Sequence, residues 1–140
     1  MVLPVLASDS EITYSKGIDP NSLSKIHPKL QDMVHYISGF CQQNRIKFVI
    51  TSTIRTFNRN KEVGSKSVTH VEGRAVDFSI KEVWGWTPEL IMEITRQIER
   101  NYTHFGAFSA VGNKQVVIFN HDAGNGFHVH LQVYRGLSWK

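Results

Sequence analysis

Apolar positions along the chain fall into two periods, and the switches between them lay out the elements. After Pro28, the residues Leu30, Met33, Val34, Ile37, Phe40 and Cys41 recur at spacings of three and four, which predicts an amphipathic helix from residue 28 to about 44. A second stripe, Leu90, Ile91, Ile94 and Ile98, follows Thr87 and Pro88, an N-cap residue and a proline suited to the first helical position. It predicts a helix to about residue 102. Elsewhere the period drops to two. Residues 46–52 (IKFVITS) read as a strand, and residues 75–80 alternate so that Val76, Phe78 and Ile80 share one face while Ala75, Asp77 and Ser79 share the other. The last third reads as short strands at 105–109, 115–119 and 127–134. In the final one Phe127, Val129, Leu131 and Val133 face one way, and His128, His130, Gln132 and Tyr134 the other. The fold class is α+β, with two helices packed against a central, mainly antiparallel sheet.

The polar stretches add the connections. Residues 1–20, with Pro4, Gly17, Asp19 and Pro20, read as an extended lead-in. Residues 53–67 form a long polar segment carrying Arg55 and Arg59, and loops of that length inside a compact domain are usually functional or disordered. Trp84, Gly85 and Trp86 make a further loop, and Trp84, Trp86 and Phe57 are candidates either for core packing or for the wall of a cleft.

Length and composition then narrow the class. A chain of 140 residues is one domain, and no apolar run approaches the ~20 residues of a membrane span. The opening MVLPVLASDS lacks the basic start of a signal peptide, so synthesis in a cytoplasm is expected, without membrane insertion. The single cysteine, Cys41, lies on a helix stripe and is expected to be a buried, inert thiol. The net charge of +4 favours anionic partners, but the basic residues are scattered, so nucleic acid is not expected.

The chemistry concentrates at histidines. Seven are present; His27, His35, His104 and His121 show no mutual pattern and are expected at the surface or in structural hydrogen bonds. His70 and Asp77 lie seven positions apart across a glycine-containing turn, and His128 and His130 point the same way from one strand. Two imidazoles and a carboxylate would leave a four-coordinate zinc one open position, the arrangement of a catalytic site. Spacing alone leaves that reading open beside ordinary polar histidines on a wet sheet face.

The stretch THVEGRAVDF resembles the HxxGxAxD signature of zinc peptidases that act on bacterial cell-wall peptides, with His70, Gly73, Ala75 and Asp77 matching in identity and spacing. That group includes D-alanyl-D-alanine carboxypeptidases and dipeptidases and phage L-alanyl-D-glutamate endolysins, and shares its fold with the hedgehog signalling domain. HPKLQDMV and FVITSTIRT resemble the helix, strand and TSxxR element that precede the signature, with Arg55 at the arginine, and HVHLQV resembles the closing HxH strand. The resemblance implies a hedgehog/DD-peptidase-like fold and Zn2+ on His70, Asp77 and His130, with His128 beside the metal. An endolysin-style alignment would instead make His128 the ligand. It further implies that Arg55 binds a substrate carboxylate or the oxyanion. Ser67 and Thr69 flank Val68, which stands where the family usually has serine. Where many relatives carry an acidic general base, this chain has Phe127, or Asn125 under the alternative register, so Asp122, His121 and His128 are the candidates to move the proton. The implied activity is hydrolysis of a peptidoglycan stem peptide, of the D-Ala-D-Ala carboxypeptidase or L-Ala-D-Glu endopeptidase type; the small single-domain form without a secretion signal fits a monomeric, phage-encoded endolysin acting on the cell wall. The alternative is a catalytically silent zinc module that binds a wall peptide or a protein partner.

Overall fold

The stripe after Pro28 becomes helix α1 (Pro28–Gln43) in the computed structural model, which describes residues 12–54, 72–108, 114–122 and 127–139, the side chains of His121 and Asp122 excepted. His27 caps it: Nδ1 accepts from the Lys29 amide at 3.0 Å. A ring nitrogen that accepts leaves the hydrogen on Nε2, which donates to the Ser138 carbonyl at 2.9 Å, while Trp139 packs against the same ring. The buried histidine is thus structural, as expected of His27, and ties the start of α1 to the segment beyond the last strand. Helix α2 (Pro88–Tyr102) starts on the expected cap, with Thr87 Oγ1 accepting from the Leu90 amide at 3.2 Å. It buries Ile94 and Ile98 fully and Leu90 and Ile91 in part. The helices are joined by the Tyr36 hydroxyl, which donates to Gln97 Oε1 at 2.6 Å.

Among the described residues the main sheet has five strands in the order β1-β2-β3-β7-β6: β1 (Thr13–Tyr14), β2 (Val49–Ser52), β3 (Ala75–Ser79), β6 (Ile118–Asp122) and β7 (Phe127–Gln132). β1 runs parallel to β2, and every other neighbouring pair is antiparallel, so the sheet is mixed. The strand β1 lies inside the segment expected to be an extended lead-in. The strand expected at 115–119 is divided at Val117: β5 (Gln115–Val116) pairs with β4 (Ala107–Phe108) in a separate two-stranded sheet, and β6 crosses into the main one.

One face of the main sheet forms the core. Ile50, Val76, Phe78, Val129 and Leu131 are buried there with Met33 and Ile37 of α1 and Ile94 and Ile98 of α2. Trp86 belongs to this core, packed against Phe40 and Phe78, and not to a cleft wall. Among the described residues no helix is long and apolar enough to cross a membrane.

Candidate functional site

The opposite face of the same strands carries the polar row. In the β3–β7 register Asp77 stands across from His130, Ser79 from His128 and Ala75 from Gln132. β6 extends two of these rows, placing Phe119 opposite His130 and His121 opposite His128, and β2 brings Ser52 opposite Asp77. The alternative of a wet sheet face does not hold at these positions, because Asp77 is only 3% exposed, Ser79 1% and His130 8%. A carboxylate that deep needs a partner. Asp77 Oδ1 and His130 Nδ1 are 2.7 Å apart, and the far side of the ring meets Gln132, with Nε2 to Oε1 at 3.1 Å. Gln132 Nε2 in turn donates to the Val116 carbonyl at 2.9 Å. Phe119 lies over the imidazole with ring centres 4.7 Å apart.

The turn into β3 is fixed at both ends. Gly73 sits at φ +68°, where a side chain is strained, and a Cβ there would come within 3.2 Å of the Lys25 carbonyl oxygen. Its own carbonyl accepts from the His27 amide at 2.9 Å. Next to it the buried Arg74 donates through Nε to Glu72 at 2.7 Å and through Nη1 to the Val133 carbonyl at 3.2 Å. Arg135 Nη2 reaches the other Glu72 oxygen at 3.1 Å. The signature turn is therefore fastened to α1 on one side and to the end of β7 on the other, which sets the depth at which Asp77 emerges.

Of the residues singled out in the sequence, Asp77 and His130 are brought into contact, and His128 lies two positions along β7 on their face, half-buried. Asp122 ends β6 opposite Phe127, at a register position out of phase with the His128 and His130 rows. His70, Arg55, Ser67 and Thr69 lie outside the described residues; β2 ends at Ser52, three positions before Arg55. Gln132, Phe119 and Ser52 received no functional role from the sequence, although the alternation of β7 already placed Gln132 beside the histidines.

The donor chemistry suits a divalent transition metal. Asp77 Oδ1 and His130 Nδ1 share a hydrogen at 2.7 Å, and a carboxylate oxygen and an imidazole nitrogen are both ordinary zinc ligands. Among the described residues there is no group of three or more His, Cys, Asp or Glu that could hold a metal ion.

A family model, Peptidase M15, matches residues 7–110, about three quarters of the chain. The chain belongs to the peptidase M15 family. Membership implies a metallopeptidase with a peptide substrate. No curated protein and no solved structure matches the chain. The M15 match spans Asp77 but ends before β6 and β7, so His130 joins the site through strand register and its contact with Asp77 alone.

Proposed function

We propose that this M15 peptidase is a zinc-dependent hydrolase of peptidoglycan stem peptides, of the D-Ala-D-Ala carboxypeptidase or L-Ala-D-Glu endopeptidase type, working as a monomer on the bacterial cell wall in the manner of a phage endolysin. The observation that carries the reading is the buried contact between Asp77 and His130 on adjacent central strands of a peptidase chain. His70, Asp77 and His130 are the proposed ligands. Bound zinc would supply an acidified water and polarise the scissile carbonyl.

The chain's own residues do the rest. Asp77 and His130 hold the donor atoms on a rigid sheet, and burial keeps bulk water from competing for them. Arg55 offers a planar fork of donors to a substrate carboxylate or to the oxyanion, and Ser67 and Thr69 contribute hydroxyls to substrate binding. His128 is the proposed proton carrier, supported by its place two residues before His130 on the same face; Asp122 is the alternative. The positive net charge favours adhesion to anionic wall polymers.

Digestion of peptidoglycan followed by mass analysis of the fragments, with and without a chelator, tests the reading. New amine termini that disappear with chelation are expected. Absence of cleavage, or cleavage indifferent to chelation, would overturn it.

One observation favours a second reading. Phe127, three positions before His130 where relatives carry an acid, is 64% exposed and cannot take a proton. A catalytically silent zinc module that binds wall peptides would bind zinc and peptidoglycan yet release no fragments in the same assay.

A further inference from the structure

We propose that Gln132 is a positioning residue of the metal centre: its amide oxygen holds a hydrogen on His130 Nε2 and thereby leaves Nδ1, the nitrogen beside Asp77, as the one that binds the cation. This rests on the reading of His130 as a metal ligand and adds the residue that decides which of its two nitrogens binds.

The argument follows from donors and acceptors. Gln132 stands two positions beyond His130 on the same face of β7. Its amide has two unlike ends, and both are in use. The nitrogen donates to the Val116 carbonyl at 2.9 Å; a carbonyl oxygen only accepts, so this end of the amide must be the NH2 group. Oε1 is then the atom that meets His130 Nε2 at 3.1 Å, and an amide oxygen likewise only accepts. Nε2 must therefore carry the hydrogen. By the same rule the Asp77 carboxylate, 2.7 Å from Nδ1, takes a hydrogen from that nitrogen while no cation is there, and a cation beside Asp77 would take the place of that hydrogen at Nδ1. Setting a ligand's tautomer through the hydrogen bond of its other nitrogen is a general device of metal sites.

The acceptor that orients Gln132 is itself held in place. Val116 belongs to the small β4–β5 sheet, paired with Ala107. Gly106, one residue before Ala107, approaches so closely that a Cβ on it would lie 2.5 Å from the Val116 carbonyl carbon and 2.7 Å from its oxygen. The Gln132 backbone amide is fixed to the same segment through the Val117 carbonyl at 2.9 Å. The two-stranded sheet thus has a use for the site: it sets the carbonyl that sets the amide that sets the ring.

Nitrogen-15 NMR of the His130 ring in the 140-residue chain, metal-free and zinc-loaded, reads the tautomer directly, and chelator competition reads zinc affinity. In the zinc-loaded wild type, hydrogen on Nε2 and zinc on Nδ1 are expected. Gln132→Leu, which keeps the bulk and removes both polar ends, is expected to weaken zinc binding about 10–100-fold and to free the metal-free ring from the Nε2–H form. Gln132→Glu keeps an acceptor for Nε2–H and is expected to restore that form. Zinc on Nε2 in the loaded wild type, or a Gln132→Leu protein that binds zinc as tightly as the wild type with an unchanged ring spectrum, overturns the role of Gln132. A wild type that binds no zinc overturns instead the reading of His130 as a ligand.

Discussion

The two faces of β3 and β7 use the same backbone for opposite kinds of order. On the core face Val76, Phe78, Val129 and Leu131 are fully buried and interact without direction, so what counts is volume and removal from water. On the other face Asp77 and His130 are almost as deeply buried, yet they depend on directional contacts, Oδ1 to Nδ1 at 2.7 Å and His130 Nε2 to Gln132 Oε1 at 3.1 Å. The core face should degrade by degrees when altered, and the polar face all at once.

The sharpest test is His130→Ala. It leaves Asp77 buried opposite an empty position, and breaking a buried pair in this way costs about 3–5 kcal/mol. Denaturant unfolding should show that loss, and zinc binding and peptidoglycan cleavage should fall to background. His128→Ala should retain zinc; loss of metal from His128→Ala alone would shift the ligand from His130 to His128.

Leu131→Ala, one position along on the core face, should cost about 2–5 kcal/mol through transfer and cavity terms, whereas Leu131→Met should cost less than about 1.5 kcal/mol. No similar-sized replacement of His130 is expected to be so mild. Equal costs for the two leucine variants would break the contrast.

Thr87→Ala lies on neither face and removes only the cap of α2, a loss of about 1 kcal/mol that should leave zinc affinity unchanged. The smallest effect near neutral pH concerns Cys41, whose thiol burial pushes up from 9.0 to about 12. The folded thiol stays protonated while the unfolded one ionises above 9, so this group's contribution is complete below pH 9 and is lost as pH rises from there toward 12. Thiol reagents at pH 8 should label Cys41 only after unfolding.

Periodicity in the sequence was enough to assign the faces of β3 and β7 and to place both helices, because a two-residue or three-to-four-residue repeat is a local property. It could not show that the polar face is covered, since alternation says which side a residue takes and not what lies over it. Nor could it show contact between Asp77 and His130, which are 53 positions apart; that expectation came from resemblance, and the register supplies the contact. The strand β1 escaped notice because two residues carry no period, and the switch at Val117 because a change of sheet leaves the alternation on either side intact. Gln132 was placed on the correct face but given no task, because its task depends on the position of a backbone carbonyl at Val116.

The strand order also bears on how quickly different parts of the molecule open. β3 and β7 are flanked on both sides, by β2 and β6, while among the described residues the sheet's two edges are β1 and β6. Amide hydrogens of central strands exchange with solvent through large-scale unfolding, those at edges through local fraying. The amides of Asp77 and His130 should therefore be among the slowest to exchange. Metal loading that proceeds faster than that exchange must reach the two side chains from the polar face, with the sheet still closed beneath them.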